Sequence, residues 1–136
     1  MQSLDLIPLS AGEQLLRDSV REFAKEKLVP RVREMDERGE FSRELLSEFF
    51  RLGWMGIQIP EEFSGAGGTF FHSILAIEEI SAVDPSAGVI VDVQNTIVNN
   101  ALLRWANEGQ KKRLLPRLAK DTVGAYALSE AGAGSD

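Results

Sequence analysis

Ser86 to Trp105 reads SAGVIVDVQNTIVNNALLRW. Val89, Ile90, Val91, Val93, Ile97, Val98, Leu102 and Leu103 make it apolar on most sides. The β-branched residues suit a strand as well as a helix. Length separates the two, because strands seldom run past about ten residues, so a buried helix is expected. Asp84-Pro85-Ser86 breaks the pattern before it and starts this one.

Working upstream, Phe70 to Ala82 carries Phe71, Ile74, Leu75 and Ile77 at helical spacing, expected to face inward. Before it, Glu61 to Gly68 holds Gly65, Gly67 and Gly68 and is expected to be a loop. Trp54 to Pro60 is an apolar connector. Ser42 to Leu52 is expected to be a helix with Leu45, Leu46, Phe49 and Leu52 inside and Gly53 as its terminating glycine. The first helix opens on Ser10-Ala11-Gly12-Glu13, the form of a capping box. Leu16, Val20, Phe23, Ala24 and Leu28 then recur on one face, and Pro30 is expected to end or kink the helix.

Working downstream, Asn107 to Ala119 carries Leu114, Leu115 and Leu118, with Lys111-Lys112-Arg113 outside and Pro116 as a flaw in the helical pattern. After Thr122 the pattern changes. Val123 to Leu128 has the look of a first strand, and an unpaired strand leaves backbone groups unsatisfied. The expected organisation is therefore an all-α orthogonal helical bundle over 1–121, followed by 122–136 as the truncated start of a β domain.

Composition narrows the function classes. Of 136 residues, 43% are hydrophobic and 26% charged, the balance of a globular chain rather than a disordered one. The formal charge is -6 and the basic residues are scattered, so nucleic-acid binding is not expected. The absence of cysteine excludes disulfides, thiolate metal sites and a thiol nucleophile, and the single His72 argues against a histidine metal site. No apolar run reaches membrane-spanning length. Met1 to Ser10 contains Asp5 and no basic n-region, so neither a signal nor a transit peptide is expected. The expected location is the bacterial cytoplasm or, for a processed eukaryotic form, the mitochondrial matrix.

The residues best suited to chemistry lie at the end. Gly132 and Gly134 permit positive φ and close approach to a ligand, and successive N–H groups in such a loop can cradle an anion. Ser129 and Ser135 add hydroxyls that donate and accept. On residue types alone the segment is a plain glycine-rich turn or a seat for a phosphorylated cofactor or polar heterocycle. It lacks the third glycine of a dinucleotide fingerprint. Glu130 is expected to hold the loop as an acceptor, and Glu78, Glu79 and Asp84 to serve as helix-face or capping carboxylates. Trp54 and Trp105 are expected in the core, and His72 as a surface or satisfied core histidine. Val89 and Val93, four apart, share a helix face that either packs in the core or lines a pocket.

Tyr126-Ala127-Leu128-Ser129-Glu130-Ala131-Gly132-Ala133-Gly134-Ser135-Asp136 resembles the first signature of the acyl-CoA dehydrogenase family. Gly53 to Gly65, with Pro60-Glu61-Glu62, is similar to another family segment. So are Glu78-Glu79 with Asp84-Pro85-Ser86, and Asn107-Glu108-Gly109-Gln110-Lys111 ahead of Leu115-Pro116. The family keeps a proline at the Pro116 position. Ala131 replaces its common Pro, Ser129 its common Thr, and Ser64 a usual Gly. Ser129 to Asp136, with Gln94-Asn95-Thr96, most resembles the short/branched-chain subgroup.

The resemblance implies FAD as cofactor and an acyl-CoA thioester as substrate. A glutamate base removes the α-proton while the β-hydrogen leaves as hydride to flavin N5, and an electron-transfer flavoprotein accepts the electrons. It implies that Tyr126 to Ser135 contact the flavin, through backbone groups near Tyr126 and Leu128 and the Ser129 hydroxyl. Ser135 would reach the FAD pyrophosphate or the bound thioester, and Val89 and Val93 would line the acyl pocket. In the family the base lies in a C-terminal helical domain, so no catalytic residue is expected here and the chain alone is expected to be inactive. A homotetramer is expected at full length. A noncatalytic helical interaction module, or a relative with other flavin chemistry, is the competing expectation.

Overall fold

The computed structural model describes residues 8–133. The expectations for residues 1–7 and for Gly134, Ser135 and Asp136 lie outside the described residues. The helices run α1 Ala11–Phe23, α2 Val29–Arg38, α3 Arg43–Arg51, α4 Phe70–Ser81, α5 Pro85–Asp92, α6 Asn100–Trp105 and α7 Glu108–Lys120. Single-turn 3-10 pieces, Trp54–Gly56 and Glu61–Phe63, join α3 to α4. Among the described residues there is no sheet, and the fold is the expected helical bundle.

Local chemistry explains most boundaries. The Ser10 hydroxyl accepts from Glu13 N at 3.3 Å, and the Glu13 carboxylate accepts from Ser10 N at 2.7 Å, closing the capping box. The Ser10 backbone N–H, then its hydroxyl, holds the Glu13 carboxyl below its ordinary range. A contribution of this sign is present at neutral pH and lost as pH falls through the carboxylate range. Ser42 caps α3 through Leu45 N, and Gly53, at φ 78°, follows its end.

The helical run is interrupted ahead of Pro30, as expected, without stopping at Pro30. A π turn, Ala24–Leu28, precedes it, and helical backbone resumes as α2. Val29 N donates to the Ala24 carbonyl, five residues back. The widened turn relieves the clash between a proline ring and the carbonyl four residues earlier. Pro30 then sits in the first turn of α2, where a missing N–H costs little. Pro116 lies inside α7 without breaking it, because Leu115, Leu118 and Ala119 are buried around it and packing outweighs one missing backbone bond.

Two apolar clusters hold the helices. The larger joins Val20, Ala24 and Leu28 to Leu45 and Phe49 of α3, Ala76 and Ile80 of α4 and Val91 of α5. Trp54 sits at its centre, edge-on to Phe23 at 4.9 Å and tilted against Phe49 at 5.7 Å. The smaller joins Ile59 and Phe63 to Val98, Leu115, Leu118 and Ala119. Arg21 clamps α1 to α4 with two bonds to Glu79, at 2.8 and 2.6 Å. The adjacent Glu79 carboxylate raises the Arg21 pKa.

Two core expectations need correction. Ile74 is 37% exposed, because the buried face of α4 runs through Ser73, Leu75, Ala76 and Ile80. Trp105 is 84% exposed, since it ends α6 and the chain turns away at Ala106. Val123 to Leu128 runs without helical or strand assignment, and among the described residues the one β pairing is an isolated Glu130–Ala133 bridge, so the expectation of a first strand of a further domain is neither met nor contradicted here. No second strand lies alongside to take up its backbone groups. His72 caps α4, its Nδ1 accepting from Thr69 N at 2.9 Å.

The loop after Trp54 folds back on itself. Ala66 N donates to Gly56 O at 3.0 Å, Gly67 N to Ile59 O at 2.9 Å and Gly68 N to Ile57 O at 2.7 Å. Ser64 sits at φ 67°, the sole non-glycine positive φ among the described residues. That conformation costs a side chain about 1–2 kcal/mol. Ser64→Gly is expected to stabilise the domain by roughly 0.5–1 kcal/mol after glycine's extra chain entropy is subtracted. Thermal and urea melts check it.

Candidate functional site

The site is organised by one rod, α5 running through a π segment, Val93–Asn99, into α6. The sequence predicts a mostly apolar helix, yet Gln94, Asn95 and Asn99 are 1%, 0% and 0% exposed. Buried amides need partners, and these find them in backbone groups, except that the Asn99 Oδ1 accepts from none of the described residues. Asn95 Oδ1 accepts from Ile57 N at 2.9 Å, while Nδ2 donates to Trp54 O at 2.7 Å and Val91 O at 2.9 Å. Asn99 Nδ2 donates to Met55 O at 2.9 Å. The extra residue in the π turn allows the amides to face the interior while Val89, Val93 and Ile97 recur on another face.

Gln94 reaches the other way, to the end of α7. Its Nε2 donates to Leu118 O at 2.9 Å and Thr122 O at 3.1 Å, and its Oε1 accepts from Gly124 N at 2.8 Å. The departing chain is thus fixed at Thr122 and Gly124. A Cβ at Gly124 would collide with Val98 Cγ1 and stand 3.2 Å from Leu118 Cδ2, so only glycine lets the backbone lie this close.

From this anchor the expected cofactor-contacting segment runs into the open. Tyr126 is 52% and Leu128 75% exposed, and Ala127, Ser129, Glu130, Ala131, Gly132 and Ala133 are exposed too. Glu130 to Ala133 forms a tight turn in which the Glu130 carbonyl, not its carboxylate, accepts from Ala133 N at 3.2 Å. Gly134 and Ser135 lie outside the described residues. Val89 is 56% exposed on α5, and Val93 is partly buried against the smaller cluster. The links between rod and tail are made by Gln94 and Val98.

Gln94, Asn95, Asn99 and Gly124 were not among the expected site residues. The signal was present: amides at three positions inside an apolar helix are costly unless each has a buried partner. Among the described residues no group of three or more His, Cys, Asp or Glu is placed to hold a metal, and no helix is long and apolar enough to cross a membrane.

The helical bundle is shared with solved acyl-CoA dehydrogenases. Residues 10–122 match that family's profile, "Acyl-CoA dehydrogenase, N-terminal domain", and the chain belongs to this family. It is 48% identical over 128 residues to a probable short/branched chain specific acyl-CoA dehydrogenase of Dictyostelium discoideum, covering 94% of this chain and 31% of that protein. It is 38% identical over 124 residues to the mitochondrial short/branched chain specific enzyme of Bos taurus, covering 91% of this chain and 29% of the relative. Butyryl-CoA dehydrogenase from Megasphaera elsdenii superposes with a TM-score of 0.86 at 29% identity, over 94% of this chain and 34% of that one. A chain from a structure of the electron transferring flavoprotein of Acidaminococcus fermentans gives a TM-score of 0.88 at 33% identity, over 95% of this chain and 34% of that one. The chain spans about a third of the length of these relatives.

Proposed function

We propose that the chain is the N-terminal portion of an FAD-dependent acyl-CoA dehydrogenase acting on a short or branched-chain acyl-CoA, with residues 122–136 opening a second, β-rich domain. The carrying observation is the anchored exit, which sets Tyr126 to Ser129 outward from the same rod that exposes Val89 and Ile97 and carries a half-buried Val93. The exposed donors suit a flavin edge: main-chain N–H groups of Tyr126 and Leu128 and the Ser129 hydroxyl are directional and uncharged. Donors of this kind stabilise negative charge building on a reduced ring.

FAD, when bound, supplies the two-electron acceptor for α,β-dehydrogenation. In this proposal Tyr126, Leu128 and Ser129 orient its polar edge, Ala127 and Glu130 to Gly134 shape the approach, and Ser135 reaches its pyrophosphate or the thioester. Val89 and Val93 form one wall of the acyl pocket, where β-branched side chains resist displacement and favour a short chain. The base is supplied from outside these residues, so the chain alone is inactive. An electron-transfer flavoprotein as acceptor, a homotetramer at full length, and a cytoplasmic or mitochondrial-matrix setting complete the proposal.

The test is a full-length preparation that is yellow and bleaches anaerobically on adding butyryl-CoA or 2-methylbutyryl-CoA. A colourless protein, or a yellow one that no acyl-CoA bleaches, overturns the proposal. Val93→Phe is expected to lower kcat/KM for the branched substrate by about tenfold or more relative to the shortest straight chain. An unchanged chain-length profile removes Val93 from the pocket.

A further inference from the structure

We propose that Gln94 is a positioning residue for the cofactor-contacting segment, an inference that rests on the flavin proposal above. Gln94 is 1% exposed inside a rod held by both apolar clusters, so its amide does not wander. Both hydrogens of its Nε2 and one acceptor site of its Oε1 are used, and all on the departing chain or the helix end it departs from. Two of those partners, Thr122 O and Gly124 N, lie two residues apart. Fixing both sets the direction of the chain as well as its position.

Tyr126 follows two residues after Gly124, so an error at the anchor carries straight to the donors expected on the flavin edge. Gly124 completes the arrangement from the other side. With no Cβ it rests on Val98 and Leu118, close enough for its N–H to reach Gln94. Val93, the residue just before Gln94 on the rod, belongs to the proposed acyl wall. One turn of helix therefore sets the relative placement of the substrate wall and the flavin-bearing tail, the distance a hydride transfer depends on most steeply.

The test uses full-length protein stripped of flavin and titrated with FAD. Gln94→Met keeps the length of the side chain and removes all three bonds. It is expected to raise the FAD Kd by about tenfold or more and to speed hydrogen exchange at the Gly124 amide. Gly124→Ala, which leaves every Gln94 atom in place and disturbs the anchor from the tail side by pushing a Cβ against Val98 and Leu118, is expected to do the same. Glu79→Gln weakens the remote Arg21 clamp and reports what loss of stability alone does; its FAD Kd is expected to stay near wild type. If Gln94→Met and Gly124→Ala bind FAD within about twofold of wild type, or if Glu79→Gln weakens FAD as much, the proposal is overturned while the flavin assignment stands. Full-length wild type that takes up no FAD overturns the flavin assignment itself, and the role of Gln94 falls with it.

Discussion

Asn95→Asp is expected to cost the domain about 4 kcal/mol at neutral pH, and more than Asn95→Ala, at roughly 2–3 kcal/mol. The two side chains have the same shape, so no cavity and no overpacking enters. The change is confined to one atom. Asn95 Nδ2 donates to Trp54 O and Val91 O, while Oδ1 takes the Ile57 N–H. Aspartate keeps the acceptor but turns the double donor into an oxygen facing two carbonyl oxygens, at a position that is 0% exposed. A buried charge with like dipoles against it is worse than an empty site.

The pH dependence has a fixed sign. A carboxyl in this place binds its proton more tightly folded than unfolded, so the folded state holds more protons and stability falls as pH rises. At acid pH the protonated carboxyl donates to one of the two carbonyls and recovers part of the loss. Urea melts of wild type, Asn95→Asp and Asn95→Ala at acid and neutral pH test this. An aspartate variant no less stable than the alanine variant at neutral pH would show that the amide donors do little.

The elements themselves were legible in the sequence because their signals are local. The capping box at Ser10 and Glu13, the cap at Ser42 with Gly53 after Leu52, and the break at Asp84-Pro85 all act within a few residues of themselves. The length of the Ser86–Trp105 stretch outweighed its β-branched composition. Pro30 signalled the interruption but not its form, because a π turn depends on the register of the turn before the proline. Trp105 and Ile74 misled because apolar type predicts burial only where a neighbour covers the face.

The candidate site divides the same way. The glycine-rich tail was visible as composition, and the helix face of Val89 and Val93 as spacing. The connection between them was not, because Gln94 acts on Gly124 across thirty residues of chain. What the sequence offered was a cost without a partner: an amide in an apolar helix. Asn95 and Asn99 spend theirs on the Trp54–Ile57 turn, which ties the first cluster to the second and keeps the rod from sliding under the tail it carries.

Gly65→Ala is expected to be the most damaging of the glycine changes, at about 3 kcal/mol or more. A Cβ there would overlap the Ile59 carbonyl oxygen and Cβ, and neither can step aside. Ile59 is 0% exposed and packs in the cluster with Val98 and Leu118, the side chains on which Gly124 rests. Its carbonyl is also the acceptor for Gly67 N. Gly67→Ala is the informative comparison. Gly67 has φ 65°, so a side chain is strained there by about 1–2 kcal/mol. Its nearest obstacle is the flexible Glu61 side chain, at 3.2 Å. The two variants therefore separate backbone collision from backbone strain within one loop. Gly65→Ala should lose more stability and, through Ile59 and Val98, loosen the tail, seen as faster amide exchange at Gly124; Gly67→Ala should leave that amide protected. Equal losses from the two, or a Gly124 amide unmoved by Gly65→Ala, would mean that loop and tail are mechanically separate.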